Sequence, residues 1–213
     1  MEIMYNPKCR TLFKRDENFK VIPAMSELTD PRFEHVADHG WVVTKKMDGM
    51  SIILAWDGRD FTFHGRSPKT NFNASQLEFL SVIGQTIRPN MVDHFDEIPV
   101  HIYAEFVGPK INGNKHGYNE YHLFVFDVRI GGFWLDWHNV EDVCQKAELT
   151  TVRRIHEFER GGLKKIYREV EALARAGTSQ YFEGVVCRTD PYFYTAQGDR
   201  VMFKLKLSDI NTA

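Results

Sequence analysis

Cysteine is scarce in this chain of 213 residues, which contains only Cys9, Cys144 and Cys187. An odd number of widely separated cysteines argues against a disulfide framework, and their spacing argues against a cysteine zinc site. This usage is typical of proteins kept in a reducing compartment. The sequence therefore does not support a secreted fold held together by disulfides.

Long hydrophobic runs are missing as well. No stretch reaches the roughly 18 consecutive apolar residues that a membrane-spanning helix needs, which excludes such a span. The beginning of the chain, MEIMYNPKCR, lacks the basic-then-apolar layout of a secretory signal. We therefore expect a cytoplasmic protein with no membrane partner.

The chain has no excess of charge of either sign. Its 27 Lys and Arg residues are balanced by 29 Asp and Glu residues, which gives a net charge of -2. A globally basic nucleic-acid binder is thereby disfavoured, although a local basic patch stays possible. None of the 9 histidines shows the HExxH-like spacing of zinc enzymes, so a histidine metal site is not indicated.

Aromatic residues, by contrast, are abundant. Sixteen phenylalanines and 8 tyrosines indicate a β-rich core. The length lies near the upper size of one compact domain, and there is no internal repeat or linker. The sequence predicts a single α+β domain over residues 1–213, with antiparallel sheets forming a central groove and helices packed outside.

Local patterns place the elements of this domain. Alternating and continuous apolar runs predict strands over residues 41–47, 51–65 with a turn at Asp57–Gly58, 100–108, 121–129, 182–189 and 201–207. Helical spacing and caps predict four helices. The first covers residues 32–38. The second begins at Asn73 or Ser75, carries its apolar residues at Leu77, Leu80, Ile83 and Ile87, and stops at Arg88–Pro89. The third covers residues 139–148 with Asn139 as its cap, and the fourth covers residues 163–176 and is closed by Gly177.

The segment KKMDGMS, residues 45–51, places Lys46 at a strand end with turn residues Asp48 and Gly49 just after it. A lysine held there beside a carboxylate is a candidate nucleophile, provided that desolvation or nearby cations lower its pKa. Taken alone, the segment is more typical of a solvated lysine beside a hairpin turn than of a nucleophile. The rest of the chain has to supply the other parts of a reactive site.

Two carboxylates and two lysines supply such parts. Glu105 interrupts the apolar strand IYAEFVG and Glu183 interrupts FEGVVCR, and a buried carboxylate is costly unless it is paired or faces a polar cleft. In VMFKLKL the two-residue period of a strand sends Lys204 and Lys206 to one face. Two like charges there repel unless an anion lies between them, and phosphate is the natural candidate.

Two further residues are open to two interpretations. Arg66 follows a strand by one loop, where most arginines are simply solvated, but it could also join the cations of a reactive site. Phe126, in the apolar strand YHLFVFDVR, is either a core residue or an aromatic that stacks on a nucleobase.

Together these residues suggest nucleotidyl transfer onto an enzyme lysine. Lys46 would attack the α-phosphate of a nucleoside triphosphate, while Lys204 and Lys206 offset the phosphate charge and lower the pKa of Lys46. Glu105 would accept a ribose hydroxyl. Glu183 would help to hold a divalent metal, for which Mg²⁺ is suited because it takes few protein ligands.

Six short motifs in a fixed order carry a family resemblance. They are KMDG (46–49), GR (65–66), YAEFVG (103–108), LFVFDV (123–128), FEGVV (182–186) and FKLKL (203–207). With them the sequence resembles the covalent nucleotidyltransferases, which comprise nucleic-acid ligases and capping enzymes. It is most similar to the RNA-ligase branch typified by phage ligases that seal double-stranded RNA.

The resemblance implies an ATP-grasp-like nucleotidyltransferase fold and an ATP-dependent ligase that uses Mg²⁺ or Mn²⁺ in nucleic-acid repair. Lys46 would become adenylylated, pass AMP to a 5′-phosphate end, and a 3′-hydroxyl would then attack and release AMP. The partner would be RNA or an RNA/DNA nick, and a viral ligase would act in the host cytoplasm.

The same resemblance implies roles for individual residues. Phe126 would stack on adenine, Arg66 would contact the ribose or the 5′-phosphate, and Glu105 the ribose. Glu183 would act at the metal. The remaining cofactor-binding residues implied by the motifs are Lys45, Lys46, Asp48, Gly49, Lys204 and Lys206.

Two departures from the family pattern stand out. Many relatives carry Glu where this chain has Lys45, so recognition of the adenine edge would rely on the backbone there. Only seven residues, 207–213, follow Lys206, so we expect a bare catalytic domain with no OB-fold or C-terminal domain, which disfavours capping.

Two alternatives stay open at this point. One is the catalytic core of a DNA nick ligase, and the other is a binding module that holds ATP or RNA without sealing. The sequence leaves the oligomeric state open, with a monomer as the working expectation.

Overall fold

The computed structural model describes residues 2–22, 26–158, 162–176 and 183–210. The chain divides into two compact units. The first unit comprises the chain up to Asn6 together with Asp48–Val152, and the second comprises Pro7–Met47 together with the chain from Arg153 onward. No helix in the described ranges has the length and apolar character needed to cross a membrane.

Ten strands and four α-helices lie in the described residues, together with short 3₁₀ helices at Asn112–Asn114 and Leu207–Asp209. The strands are β1 (Arg10–Thr11), β2 (Gly40–Lys46), β3 (Met50–Trp56), β4 (Phe61–Gly65), β5 (Val100–Val107), β6 (His122–Ile130), β7 (Phe133–Trp134), β8 (Arg154–Phe158), β9 (Gly184–Asp190) and β10 (Met202–Lys206). The helices are α1 (Arg32–His35), α2 (Ala74–Phe95), α3 (Trp137–Lys146) and α4 (Gly162–Arg175). The predicted α+β class is confirmed, whereas the single domain over residues 1–213 stays a prediction.

The first unit is built on an antiparallel sheet in the order β4-β3-β5-β6-β7. Strand pairing places Ile52 and Ala104 on one face of this sheet, and Ile53 and Tyr103 on the other. Helix α2 covers the first of these faces, where Phe79 stacks on Phe106 with their ring centroids 5.6 Å apart. The opposite face carries Glu105, so the apolar layer under α2 leaves the carboxylate on the other side.

Helix α2 differs from its prediction at both its end and its buried side. It continues through Pro89 to Phe95 instead of stopping at Arg88–Pro89. Pro89 lies on the exposed side of the helix, where water can satisfy the carbonyl of Gln85 that loses its N–H partner. The buried residues follow a shifted stripe, namely Gln76, Leu80, Gly84, Ile87, Met91 and Phe95, and Leu77 is 48% exposed.

The second unit is built on a sheet in the order β1-β10-β9-β2-β8, in which only the β1–β10 pair is parallel. One face is apolar and packs against α4, whose buried residues recur at helical spacing as Leu163, Ile166, Val170 and Ala174. The sheet contributes Trp41, Val43, Val185, Cys187, Phe203 and Leu205 to this core. The alternate residues of the same strands therefore point to the opposite face.

The segment KMDG does not form a hairpin, because the strands on its two sides belong to different sheets. Strand β2 ends at Lys46 in the second unit, and β3 begins at Met50 in the first. The run over residues 51–65 divides into β3 and β4 around Asp57–Gly58, which confirms the predicted turn.

Smaller differences concern the middle of the chain. Helix α3 is capped by Asp136, whose side chain accepts a hydrogen bond from the backbone N of Asn139, so the predicted cap at Asn139 is wrong. Strand β8 was not predicted from the sequence. The predicted helix end at Gly177 and the start of the strand at Phe182 lie outside the described residues.

Two leucines on α2 provide a matched stability test. Leu80 is fully buried and Leu77 is 48% exposed on the same helix. We expect Leu80→Ala to lower the free energy of unfolding by about 2–5 kcal/mol through lost burial and a cavity. Leu77→Ala should change it by less than about 0.5 kcal/mol. Urea denaturation measures both, and equal losses would contradict the observed buried side of α2.

Candidate functional site

A row of three paired residues crosses the sheet of the second unit. Lys46, the last residue of β2, pairs with Gly184 of β9, and Gly184 pairs with Lys206 of β10. In the next row on the same face, Val186 pairs with Thr44 and Lys204. Directly paired residues share a face, so the sheet brings the amine from the early strand together with the two lysines from the late one.

Glu183 lies between two of these lysines. Its Oε2 pairs with Lys46 Nζ, and its Oε1 lies 2.5 Å from Lys206 Nζ. Burial by itself would raise the pKa of this carboxyl, but the hydrogen bonds from Lys206 and Lys46 outweigh it and hold the pKa below its ordinary value. Glu183 is therefore an ionised bridge between two ammonium groups that would otherwise repel each other.

Lys204 completes the cationic face. Burial is the largest cause of the lowered pKa of Lys204. The nearby Cys9 acts in the opposite direction and raises this pKa, whereas the positive charges of Lys46, Lys206 and Lys8 lower it further. A half-buried amine among other amines is stabilised when an anion binds beside it. This face of the second unit thus has the charge pattern of a phosphate site.

Gly184 is required by the close approach of the strands at this point. A Cβ atom there would lie 2.2 Å from the backbone oxygen of Leu205 and 2.7 Å from Cα of Lys206. Any side chain would push β10 away from β9 and separate Lys206 from Glu183. The glycine in the motif FEGVV therefore serves the packing of the lysine-bearing strands.

Lys45 points away from this site. It pairs with Val185, so its side chain lies on the face opposite Lys46. Burial, and secondarily the charge of Arg153, lower the pKa of Lys45. Its backbone N already donates to the backbone oxygen of Arg153 at 2.8 Å. A role for Lys45 in cofactor binding stays a prediction.

In the first unit, Glu105 holds the turn that follows the candidate nucleophile in the chain. Its Oε1 accepts a hydrogen bond from the backbone N of Gly49 at 3.0 Å. A Cβ on Gly49 would lie 2.5 Å from the backbone oxygen of Phe106, so only glycine allows the turn to approach β5 this closely. The observed contact gives Glu105 a structural task, and its predicted contact with a ribose stays a prediction.

Asn112 contacts the same turn, from the loop between β5 and β6. Its Nδ2 donates to the backbone oxygen of Gly49 at 2.6 Å and to Asp48 Oδ1 at 3.3 Å. His116 of that loop places its Nε2 3.7 Å from Asp48 Oδ2. Sequence reasoning gave Asn112 no role, because the only local signal is an asparagine- and glycine-rich loop.

Phe126 lies on the same side of the first sheet as Glu105. It packs, partly buried, against the cluster of Ile53, Ala55 and Tyr103. Part of its ring therefore belongs to the core, and its stacking on a nucleobase stays a prediction. A β-bulge between Tyr103 and Ala104 shifts the β5–β6 register beside it.

The segment before Pro7 also lies on this face, which the sequence did not predict. Ile3 packs against the same apolar cluster, and the Tyr103 hydroxyl donates to the backbone oxygen of Met4 at 2.7 Å. Arg66, by contrast, is exposed one residue beyond β4. The preceding Gly65 has no space for a Cβ, which would lie 2.2 Å from Thr70 Cβ.

The described residues contain no group of three or more His, Cys, Asp and Glu side chains arranged to hold a metal ion. Glu183 supplies the carboxylate oxygens that Mg²⁺ and Mn²⁺ accept, and both of its oxygens are paired with lysines. The donor fits a divalent cation once a lysine contact is exchanged.

Comparison with solved structures places the fold. A variant of Naegleria gruberi RNA ligase with AMP and Mn matches with a TM-score of 0.62 at 15% identity, over 96% of this chain and 62% of that one. The same ligase with PPi matches with a TM-score of 0.59 at 17% identity, over 96% and 62%. A putative ATP-dependent DNA ligase from Aquifex aeolicus matches with a TM-score of 0.61 at 19% identity, over 97% and 51%.

The chain thus spans less than two thirds of the length of these relatives. The TM-scores show a shared fold, that of the ligase adenylation domain, and at this low identity the similarity is one of fold alone. A search among curated proteins found no match. The family model described as RNA ligase matches residues 39–206, which include the lysine-bearing strands, Glu183 and the Asp48–Gly49 turn. The chain therefore belongs to the RNA ligase family of the nucleotidyltransferase superfamily.

Proposed function

We propose that this protein is an ATP-dependent RNA ligase that joins a 5′-phosphate end to a 3′-hydroxyl end through a lysyl-AMP intermediate on Lys46. One observation carries the proposal. Lys46, Lys204 and Lys206 share one face of the second sheet, with Glu183 ion-paired between Lys46 and Lys206. Such a cluster of amines binds phosphate and presents a nucleophile to it.

In the first step, Lys46 Nζ attacks the α-phosphorus of ATP. The N–P bond forms, the bond to the bridging oxygen breaks, pyrophosphate leaves and the amine proton passes to solvent. Lys204 and Lys206 lie on the face where the attack occurs and offset the negative charge that develops on the phosphate oxygens. A divalent metal held by Glu183 would add Lewis-acid stabilisation of the same charge.

Two further exchanges at phosphorus complete the reaction. An oxygen of the 5′-phosphate attacks the adenylyl phosphorus, the N–P bond breaks, and the Lys46 nitrogen takes up a proton from solvent as it leaves as an amine. The 3′-hydroxyl then attacks the 5′-phosphorus, its proton is lost, and AMP departs as the new phosphodiester forms. Each step replaces one bond to phosphorus by another, so the enzyme contributes mainly positioning and charge stabilisation.

The ion pair of Lys46 with Glu183 has to open before the first step. An ammonium group has no lone pair, so Lys46 has to exchange its carboxylate partner and lose a proton before it can attack. Phosphate oxygens compete for the lysines, and a divalent cation competes for the carboxylate. Lys46 would be released from Glu183 when Glu183 holds a divalent cation and Lys206 contacts the phosphate oxygens of ATP.

Residues of the first unit are proposed to bind the nucleoside. Glu105 would accept a ribose hydroxyl, Phe126 would stack on adenine, and Arg66 would contact the ribose or the 5′-phosphate. The shared sheet face of Glu105 and Phe126 supports this assignment. Solved structures of the Naegleria gruberi RNA ligase with AMP and Mn, and with ATP and Mn, support ATP and a divalent metal as cofactors.

Labelling of the protein by ATP tests the nucleophile. Incubation with α-labelled ATP and Mg²⁺ or Mn²⁺ should attach label to the wild-type protein, because Lys46 retains the adenylyl group. Lys46→Ala should abolish labelling, whereas Lys164→Ala, an exposed lysine on α4, should leave it intact. Absence of label on the wild-type protein, or label that survives Lys46→Ala, refutes the proposed intermediate.

The bridging carboxylate predicts a pH-dependent stability difference. Because the folded-state pKa of Glu183 lies below its ordinary value of 4.5, its ion pairs stabilise the protein fully above that pH. The stabilisation is lost as the pH falls through the lowered pKa. We expect Glu183→Gln to lower the free energy of unfolding by about 1–3 kcal/mol at about pH 7. The loss should become progressively smaller as the pH falls below the ordinary pKa of a glutamate.

Thermal or urea unfolding of wild type and variant between about pH 3 and pH 7 measures this difference. Glu78→Gln, at an exposed position on α2, is the matched control and should show no such trend. If the difference in unfolding free energy between wild type and Glu183→Gln were constant over the whole pH range, the ion-paired bridge would be contradicted.

A DNA nick ligase is the second candidate, favoured by the fold similarity to the putative DNA ligase of Aquifex aeolicus. Nicked duplexes in which each strand is varied separately between RNA and DNA distinguish the two. We expect sealing to require a ribose at the 3′-hydroxyl end, since the 2′-hydroxyl is what separates RNA from DNA. Equal sealing of all-DNA nicks would assign the protein to DNA instead.

A further inference from the structure

The loop between β5 and β6 is held in an unusual backbone conformation. Three of its non-glycine residues have positive φ, namely Lys110 at 65°, Asn112 at 45° and Asn114 at 47°. Such residues are uncommon, and a cluster of them persists only where surrounding contacts enforce it. The contacts of this loop therefore show what the strained backbone serves.

Asn114 closes the loop on itself. Its Nδ2 donates to the backbone oxygen of Tyr118 at 2.9 Å, and its Oδ1 accepts from the backbone N of Tyr118 at 2.8 Å. Asn112, in contrast, directs its amide away from the loop to the Asp48–Gly49 turn. The loop therefore reaches the Asp48–Gly49 turn through two side chains. Asn112 donates hydrogen bonds to it, and His116 lies 3.7 Å from the Asp48 carboxylate.

The turn is held from two sides within the first unit. Glu105 accepts from the backbone N of Gly49, and Asn112 donates to the backbone oxygen of the same residue. Both polar groups of one peptide residue are therefore fixed by side chains from different segments. Asn112 also contacts Asp48 Oδ1, which limits the orientation of that carboxylate.

We infer that Asn112 is a positioning residue for the adenylylation step, an inference that rests on the proposed function. Asp48 follows Lys46 by two residues in the chain, so the conformation of the turn restricts the backbone that carries the nucleophile. A reacting amine has to meet phosphorus in a narrow geometry, and small displacements cost rate more than affinity. Asn112 acts through the turn and contacts no reacting atom.

The experiment removes the amide without disturbing the backbone. Asn112→Gly keeps a residue that tolerates positive φ but lacks the Nδ2 donor, and Asn112→Asp keeps the shape but places a carboxylate against Asp48 and the Gly49 carbonyl. Lys115→Ala, an exposed residue of the same loop, is the matched control. Single-turnover labelling by α-labelled ATP at several ATP concentrations is measured alongside the unfolding midpoint of each variant.

We expect Asn112→Gly to lower the maximal labelling rate about tenfold, with the half-saturating ATP concentration and the unfolding midpoint unchanged. Asn112→Asp should be slower still, and Lys115→Ala should match wild type. Wild-type rates in both Asn112 variants overturn the inference. A raised half-saturating ATP concentration with an unchanged maximal labelling rate also overturns it. A loss of labelling rate that is accompanied by a lowered unfolding midpoint overturns it as well. Failure of the wild-type protein to take up label would instead refute the proposed function.

Discussion

The candidate site depends on one carboxylate held between two amines. Lys46 and Lys206 occupy the same row of the second sheet and would repel each other, and Glu183 pairs with both. The pairing is possible because Gly184 lets β9 and β10 approach without a side chain between them. These ion pairs also define what the site can bind. An anion can replace the carboxylate at the lysines, and a cation can replace the lysines at the carboxylate.

A second contact between a glycine and a glutamate occurs in the first unit, between Gly49 and Glu105, and it has a different role. Gly49 approaches β5 closely, and the carboxylate of Glu105 accepts its backbone N–H. Here the acid orders a turn, whereas Glu183 neutralises charge. The family motif KMDG is thus divided between two compact units, with Lys46 at the end of one sheet and Asp48–Gly49 ordered by residues of the other unit.

The sequence predicted elements well where the signal was local. The turn at Asp57–Gly58, the β5 and β6 strands and helix α4 all lie close to their expected positions. Errors occurred where tertiary packing overrode a local rule. Helix α2 passes through Pro89 because its exposed side tolerates the missing hydrogen bond, and its buried stripe starts from Gln76 instead of Leu77. The segment around KMDG was compatible with a hairpin because local periodicity does not reveal which sheet a strand joins.

The sequence by itself determined the chemistry of the site residues and their alternation along each strand, because residue type and the two-residue period of a strand are local properties. It therefore predicted that Lys204 and Lys206 share a face and that Glu105 and Glu183 are unusual within apolar runs. Only the tertiary structure decided that Glu183 bridges Lys46 and Lys206, that Lys45 faces away, and that Asn112 holds the Asp48–Gly49 turn. Those facts depend on strand order, register and loop conformation, which arise from contacts between residues far apart in the chain.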